Sequence, residues 1–284
     1  MNKQIQNIMN VPQIRQFMNK NKLSPSFVEE NIIEFLTWKE ELEKCSGCQG
    51  LSFCRQRLNG MVYSLSFDER GYFEERYLPC SYQSEKEKSL EHKKNYKYSH
   101  MTESDYLIEL QNLNKTRELK SEYLLALQKV ISSQAEDKGL YLYGQAGVGK
   151  SYMLKALCNF YAKNGYTVSF VKVPNFIKTL KESFGDDEIR RQLSRNILRS
   201  DIVVFDDIGS EAMTAWSLNE ILFPLLDERM EKKKKTYFTS NYSMDELDQK
   251  YAQIEKNDKV GADRVFERIR TLSKPVLLSG SSLR

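Results

Sequence analysis

The sequence lacks the features of a membrane or secreted protein. No stretch of its 284 residues approaches the roughly 20 consecutive apolar residues that span a bilayer. The polar segment Met1–Lys20 lacks the apolar core of a signal peptide, and the chain contains no internal repeat. We therefore expect no membrane partner and a cytoplasmic, reducing location. In that location the five cysteines are more typical of metal ligands or free thiols than of disulfides.

A large excess of charge of one sign is also missing. The 43 Lys and Arg residues nearly balance the 39 Asp and Glu residues, which leaves a net charge of +4. This excess is too small to indicate nucleic-acid binding by itself, although basic residues can still gather on one face. Hydrophobic residues make up 40% and charged residues 29% of the chain, as is typical of folded proteins.

The first half of the chain changes character along its length. Residues 10–43 have a helical pattern in which Ser24 caps a helix start. Residues 45–80 carry cysteines, glycines and short aromatic β-type runs. Residues 82–100 are strongly charged and poor in aliphatics, which favours a linker or an exposed helix. Residues 105–132 are predicted to be helical again.

From Gly139 onwards, predicted strands alternate with helices. The strands are Leu140–Tyr143, Thr167–Val173, Ile202–Phe205 and Thr236–Thr239, and a helix over Ser151–Asn164 follows the first of them. Strands separated by helices of this length pair in parallel. We predict an α/β domain over residues 101–284, with a parallel sheet and helices on both faces. A small α+β N-terminal domain, residues 1–100, precedes it and includes the charged linker.

A phosphate-binding motif follows the first predicted α/β strand. The motif G-x4-G-K-[ST] is matched in full by Gly144, Gln145, Ala146, Gly147, Val148, Gly149, Lys150 and Ser151. Glycines let backbone N–H groups surround phosphate oxygens, and the helix N-terminus adds positive potential. We therefore expect ATP to bind here, with Lys150 on the β- and γ-phosphates and the Ser151 hydroxyl on Mg²⁺.

Two carboxylates follow the strand that ends at Phe205. We assign Asp206 to Mg²⁺, because a strand-end Asp holds the metal in phosphate-loop proteins. Asp207 then takes the place of the general base that orients the attacking water. Many relatives of this fold have Glu there, so an Asp indicates slower hydrolysis. The alternative is that the pair merely caps the next helix.

Further polar residues follow the strand Thr236–Thr239. Asn241, with Ser240 as the alternative, can lie between the magnesium carboxylates and the γ-phosphate and sense that phosphate. Downstream, Asp263–Arg270 places three arginines on a short helix. An arginine fork matches phosphate oxygens, so one of them can enter the ATP site of a neighbouring copy. The same helix also fits an ordinary salt-bridged surface.

Four of the five cysteines lie in the predicted N-terminal domain, as Cys45-x2-Cys48-x5-Cys54-x25-Cys80. A C-x2-C pair with two further thiols supplies the four soft ligands of a structural zinc site. We therefore predict that these four thiols bind Zn²⁺. The alternative is four reduced cysteines in a small core. Cys158 follows the phosphate loop and is predicted to lie in the core.

A basic stretch lies between the strands Thr167–Val173 and Ile202–Phe205. It contains Lys172, Lys178, Lys181, Arg190, Arg191 and Arg195, together with Phe176 and Phe184. Such a surface suits single-stranded DNA, through phosphate contacts and base stacking. A helix with a charged outer face and buried aromatics fits the pattern equally well. The run Lys232–Lys235 is predicted to be a solvated turn before a strand.

Together these motifs resemble the DnaC/DnaI helicase loaders, which are AAA+ proteins related to the initiator DnaA. The residues that carry the resemblance are Gly144–Ser151, Val203–Gly209, Phe238–Ser243 and Arg264–Ile269. The cysteine-containing N-terminal domain looks most like that of DnaI, the primosomal loader of low-GC Gram-positive bacteria. The resemblance implies a weak ATPase, stimulated by single-stranded DNA, that loads the hexameric replicative helicase onto that DNA during primosome assembly in replication initiation and restart.

The resemblance has further implications for partners and site residues. The N-terminal domain would bind the helicase, other primosome proteins would be partners, and the AAA+ domain would self-associate. By motif position Arg268 is the arginine finger, with Arg264 as the alternative. In the loaders one zinc ligand can be a histidine, for which His92 and His100 are outside candidates. Two other interpretations are an ATPase helper of a transposase and a non-hydrolysing ATP-binding adaptor of the helicase.

Overall fold

A computed structural model describes residues 3–114, 121–183, 185–210, 214–254 and 259–280. The chain divides into two units, Met1–Ser89 and Leu90–Arg284, called the N-terminal and C-terminal units below. The sequence analysis places the boundary after residue 100, whereas the division in the structure lies before Leu90. The reason is that the residues after Leu90 help to build the large sheet of the C-terminal unit.

Helices and a two-stranded sheet form the N-terminal unit. The elements are α1 (Lys3–Met9), α2 (Pro12–Asn21), α3 (Pro25–Glu30), α4 (Ile32–Lys44), β1 (Met61–Phe67), β2 (Phe73–Pro79) and, across the boundary, α5 (Ser81–Leu90). Strands β1 and β2 pair antiparallel over their whole length. Ser24 caps α3 as predicted, because its hydroxyl accepts a hydrogen bond from the Phe27 N–H at 3.4 Å.

Aromatic side chains fill the interior of the N-terminal unit. The rings of Phe17, Phe27, Phe35, Phe67 and Phe73 contact one another in pairs, with centroid distances of 5.2–6.4 Å. The first three come from helices α2, α3 and α4, and the last two come from β1 and β2. The helices and the small sheet therefore share one apolar core.

Strands alternate with helices in the C-terminal unit. The elements are β3 (Tyr96–Ser99), α6 (Ser121–Ser132), β4 (Gly139–Tyr143), α7 (Lys150–Lys163), β5 (Val168–Lys172), α8 (Val173–Glu182), α9 (Asp187–Arg199), β6 (Ile202–Asp206), α10 (Phe223–Glu231), β7 (Thr236–Ser240), α11 (Met244–Ile254), α12 (Lys259–Leu272) and β8 (Ser273–Leu277). The strands lie in the order β3-β5-β6-β7-β4-β8, and each described pairing is parallel.

Helices cover both faces of this sheet. On one face Leu140 and Leu142 of β4 pack with the buried side chains of α6 and α7. On the other face Tyr141 packs with those of α8, α10 and α12. Successive residues of a strand point to opposite faces, so a strand that is covered twice is apolar throughout. The predicted α/β class, with a parallel sheet between helices, is confirmed.

Three segments differ from the sequence-based expectation. Tyr96–Ser99, expected in the charged linker, is the edge strand β3 beside β5, where the His100 N–H continues the pairing to the Phe170 carbonyl at 3.0 Å. In the region predicted as one helix over 105–132, Ser121–Ser132 is the α-helical part of what the structure describes, and short 3-10 turns lie over Glu103–Leu107 and Leu110–Asn112. Strand β8 was not predicted, because an edge strand that contains Pro275 has a weak strand pattern.

The lysine run before β7 is a solvated turn only in its first half: Lys232 and Lys233 are exposed in a turn, whereas Lys234 and Lys235 are half-buried. The Lys234 Nζ donates to the carbonyl oxygens of Leu198 at 2.8 Å and Arg199 at 3.1 Å, at the end of α9. The Lys235 Nζ donates to the carbonyl oxygens of Ser133 at 2.9 Å and Gln134 at 3.0 Å, just after α6. Cations at helix C-termini satisfy the last carbonyls and complement the helix dipole. Both lysines therefore fasten helix ends to the sheet.

A fully buried arginine, Arg229, lies at the same edge of the sheet. Its guanidinium donates to the Thr236 hydroxyl at 2.8 Å and to four carbonyl oxygens. These belong to Ile197 at 3.3 Å, Ser200 at 2.9 Å, Asp201 at 3.1 Å and Lys235 at 2.8 Å. Burial lowers the pKa of Arg229 to about 9. The side chain thus joins α10 to the chain before β6 and β7.

Within the described ranges, no helix has both the length and the apolar character that crossing a membrane requires.

Replacing Arg229 by Met should lower the free energy of unfolding by about 3 kcal/mol, because several buried carbonyls lose their donor. Chemical denaturation measures this change. Arg195→Met on the exposed side of α9 is the matched control and should change stability by less than about 0.5 kcal/mol. Equal stability of the two variants would contradict the structural role of Arg229.

Candidate nucleotide-binding and hydrolysis site

The predicted site residues lie at the carboxyl ends of three adjacent strands. Strand β7 lies between β4 and β6, and Tyr143 of β4 is opposite Ser240 of β7. The phosphate loop follows β4, Asp206 ends β6, and Asn241 follows β7. Ligands of open parallel sheets bind at this edge. The sheet order therefore places Asn241 between the phosphate loop and the two carboxylates.

The phosphate loop, residues 144–149, connects β4 to α7. Gly147 and Gly149 have φ values of 86° and 101°, in the left-handed region that favours glycine. The Lys150 ammonium donates to the carbonyl oxygens of Gly144 at 2.6 Å and Gln145 at 2.8 Å, and to Asn241 Oδ1 at 2.9 Å. Burial lowers the pKa of Lys150, although the neighbouring Asp207 and Asp206 oppose this shift.

Asp206 is nearly inaccessible, with 4% of its surface exposed. Its Oδ1 accepts a hydrogen bond from the Thr239 hydroxyl at 2.7 Å, and its carboxylate is also hydrogen-bonded by Ser151. Burial raises the pKa of Asp206, while these two hydrogen bonds act in the opposite direction. The Ser151 hydroxyl and the Asp206 carboxylate form the oxygen pair that suits Mg²⁺. The residues therefore fit the predicted metal.

Asn241 connects the lysine to the second carboxylate. Its Oδ1 accepts from Lys150, and its Nδ2 donates to Asp207 Oδ1 at 3.2 Å. Ser240, the alternative candidate, is buried and donates its hydroxyl to the Ile208 carbonyl at 2.7 Å. Of the two candidates, Asn241 is therefore the one beside Lys150 and Asp207.

Thr239 is a site residue that the sequence did not reveal. Its hydroxyl donates to Asp206 and accepts from the Asp207 N–H at 2.8 Å, so one side chain orients both acids. The sequence pattern identifies Thr239 only as a buried strand residue. Its contact depends on β7 lying beside β6, which local sequence does not encode.

The turn after Asp207 packs on α11. Gly209 has a φ of 90°, and a Cβ added there would lie 2.6 Å from Leu247 Cδ1 and 3.2 Å from the Tyr242 ring. A side chain at position 209 would therefore displace Leu247 and would adopt a strained backbone conformation. The turn that carries Asp207 and the start of α11 are in direct contact.

The candidate finger arginines lie on α12 and contact α10. The Arg268 Nε donates to Asp227 Oδ1 at 2.7 Å in a half-buried ion pair. The guanidinium carbons of Arg268 and Arg264 lie 5.4 Å and 5.9 Å from the centroid of the Phe223 ring. These contacts of Arg268 and Arg264 are with residues of α10.

One predicted DNA contact is wrong. Phe176 is fully buried in the core under α8, so it cannot stack on a base. Phe184 lies outside the described residues. Lys178 is exposed, 3.8 Å from Glu182 on the same helix. The stretch thus agrees better with the alternative interpretation, a helix with a charged outer face and an inward aromatic.

The four predicted zinc ligands are not grouped around a common metal position in the described part of the chain. Cys45 and Cys48 follow α4, Cys54 follows a short 3-10 turn, and Cys80 follows β2. Across the described part of the chain, no three His, Cys, Asp or Glu side chains are arranged to hold a metal. The Cys45 and Cys54 sulfurs instead accept hydrogen bonds from Gln56 Nε2 at 3.2 Å and the Gly60 N–H at 3.3 Å.

The two outside candidates for zinc belong to the C-terminal unit. His92 is buried with its Nε2 3.3 Å from Asn159 Oδ1. His100 Nδ1 accepts a hydrogen bond from the Lys172 N–H at 3.0 Å, and burial lowers its pKa. Both imidazoles therefore have partners within the α/β fold. Cys158 is buried in the core, as predicted.

Replacing Thr239 by Val removes the hydroxyl shared by Asp206 and Asp207 but keeps the shape of the side chain. We expect the affinity for ATP in the presence of Mg²⁺ to fall about tenfold, the effect of one hydrogen bond to a charged group. Titration of a fluorescent ATP analogue with and without Mg²⁺ measures it. Thr179→Val, which removes a hydroxyl bonded within α8, is the control. Unchanged affinity would contradict the role of Thr239.

Comparisons with known proteins agree with this geometry. The chain is 28% identical to the replicative helicase loader DnaI of Bacillus subtilis (strain 168), covering 98% of this chain and 91% of the relative. A crystal structure of DnaI matches with a TM-score of 0.57 and 29% identity, covering 68% of this chain and 99% of that chain. A putative primosome component from Streptococcus pyogenes serotype M3 matches with a TM-score of 0.54 and 27% identity, covering 69% and 98%.

The likeness inferred from the motifs is thereby confirmed. A family model described as IstB-like ATP binding protein matches residues 85–284, which is more than half of the chain. The matched range contains the phosphate loop, both carboxylates and Asn241. This chain belongs to the family of IstB-like ATP binding proteins.

Proposed function

We propose that this chain is an ATP-dependent loader that places the hexameric replicative helicase on single-stranded DNA during primosome assembly, in replication initiation and restart. The observation that carries the proposal is the similarity to a replicative helicase loader over 98% of the chain. This similarity includes the N-terminal unit, which lies almost entirely before the family match at residues 85–284.

The same observation separates the loader from its closest alternative. For an ATPase helper of a transposase, the alternative, the supporting match is the family model, which begins at residue 85 and leaves out most of the N-terminal unit. Here an N-terminal unit with its own aromatic core precedes that part. We assign helicase binding to the N-terminal unit and the handling of ATP and DNA to the C-terminal unit. Other primosome proteins and further copies of this chain are proposed partners, and the cytoplasm is the proposed location.

The site is suited to ATP hydrolysis by the chain's own residues. Lys150 would hold the β- and γ-phosphates, and Ser151 and Asp206 would hold Mg²⁺, which neutralises the developing phosphate charge when bound. Asp207 would orient the attacking water and accept its proton. Asn241 is hydrogen-bonded to both Lys150 and Asp207, so it would keep the ammonium and the carboxylate in fixed relative positions. This arrangement favours an ATPase over the non-hydrolysing adaptor, and we expect weak turnover that single-stranded DNA stimulates.

A neighbouring copy would supply the arginine finger. Arg268 is our choice because its ion pair with Asp227 and its contact with Phe223 fix the side chain while leaving it 27% exposed. A fixed, half-exposed guanidinium loses little freedom when it meets a phosphate. Arg264 is the alternative on the same helix face.

Loading can be tested with the replicative helicase and a forked DNA substrate whose single strand is coated with a single-stranded-DNA-binding protein. The full chain with ATP should increase helicase-dependent unwinding, and Lys150→Ala should abolish the increase. Lys163→Ala, an exposed lysine on the same helix, is the control and should behave as the wild type. A chain that lacks residues 1–89 should bind ATP but form no complex with the helicase on a sizing column. If it still binds the helicase, the assigned roles of the units are wrong.

Zinc binding by Cys45, Cys48, Cys54 and Cys80 is a separate proposal. The proposal rests on chemistry alone, because four thiols with a C-x2-C pair are the ligands that structural zinc prefers. The arrangement of the described sulfurs does not contribute to it. Elemental analysis should find one zinc per chain in the wild type. Cys45→Ser should lose it and Cys158→Ser should keep it. If the wild type, purified without chelator, contains no zinc, the zinc proposal is wrong and the four cysteines are reduced thiols.

A further inference from the structure

The general base candidate has an unusual backbone. Asp207 has a φ of 60°, in the left-handed region that few residues other than glycine adopt. Its N–H is held by the Thr239 hydroxyl at 2.8 Å, and the following Ile208 N–H is held by the Thr239 carbonyl at 2.9 Å. Strained backbone of this kind persists only where the surroundings impose it, and it is concentrated at functional sites.

A serine completes the surroundings of the Asp207 carboxylate. The Ser210 hydroxyl donates to Asp207 Oδ1 at 2.6 Å. The Asn241 Nδ2 donates to the same oxygen at 3.2 Å and lies 3.4 Å from the Ser210 oxygen. Two donors on one oxygen fix the rotation of a carboxylate, so the second oxygen keeps one direction. The three side chains therefore form one closed hydrogen-bonded group.

We propose that Ser210 is a positioning residue for ATP hydrolysis, and that it adapts the site to an aspartate as the base. The proposal rests on the ATPase function proposed above. In the hydrolytic step the water oxygen bonds to the γ-phosphorus, the bond to the bridging oxygen breaks, and ADP leaves. The water proton passes to Asp207. Ser210 acts on hydrolysis through Asp207, by fixing the orientation of its carboxylate.

Two physical reasons connect the serine to the aspartate. Asp adopts the left-handed region several times more readily than most residues, so it suits the backbone at position 207. A glutamate is longer by one methylene, about 1.5 Å, so its carboxylate would pass beyond the Ser210 hydroxyl. An aspartate here is therefore matched to its turn, and lengthening it should not improve hydrolysis.

The test compares Ser210→Ala, Ser210→Thr, Asp207→Glu and the double variant Ser210→Ala/Asp207→Glu. Steady-state ATP hydrolysis is measured with saturating single-stranded DNA, and ATP affinity is measured separately by titration of a fluorescent ATP analogue. Ser210→Ala should lower kcat about tenfold with ATP affinity unchanged, and Ser210→Thr should retain the wild-type kcat. Asp207→Glu should also lower kcat, and Ser210→Ala should then add less than a twofold effect.

Several outcomes would overturn the proposal. These are an unchanged kcat in Ser210→Ala, an equal effect of Ser210→Ala in the Asp207→Glu background, or a faster Asp207→Glu enzyme. Thermal unfolding of each variant identifies a loss of fold, and Ser210→Thr, which keeps the hydroxyl, decides the case if Ser210→Ala is unstable. A wild type that hydrolyses no ATP would overturn the proposed ATPase and this proposal together. An active wild type with an equally active Ser210→Ala overturns only the role of Ser210.

Discussion

Strand β7 is the constraint on which the nucleotide site depends. The phosphate loop follows β4 and the carboxylates end β6, and these two strands do not pair with each other. Strand β7 lies between them and supplies the side chains that join them. Thr239 reaches both acids, and Asn241 reaches Lys150 and Asp207. The relative positions of lysine, metal ligands and base are therefore set by the pairing of three strands, not by the loops alone.

Cations hold the amino ends of the strands, on the side of the sheet away from the nucleotide site. Arg229, Lys234 and Lys235 donate to backbone carbonyls at the ends of α9 and α6 and before β6 and β7. Their charges serve structural hydrogen bonds, so they contribute little to a surface for DNA. A count of basic residues around α9 and α10 therefore includes three cations that already donate to backbone carbonyls. The wrong prediction for Phe176 has a related cause, since the period of α8 alone does not tell which side faces the sheet.

The sequence predicts those parts of the site that are contiguous. The phosphate loop and the Asp206-Asp207 pair are local motifs between strongly apolar strands, and both lie where the motifs place them. Contacts between distant segments are not accessible in this way. Thr239, Ser210 and Arg229 look ordinary in the sequence and acquire their roles from strand order and burial. Strands β3 and β8 are sheet edges with charged or proline-containing patterns, so their assignment required the neighbouring strands.

The tight contact at Gly209 has a mechanical consequence. Leu247 on α11 touches this turn and belongs to the same apolar cluster as Val265 and Ile269 of α12, the helix that carries Arg264 and Arg268. Close-packed interiors pass small displacements on rather than absorb them. A shift of the turn beside Asp207 would therefore tilt the arginine-bearing helix. Through this packing, a displacement at Asp207 would reach the helix that carries Arg264 and Arg268.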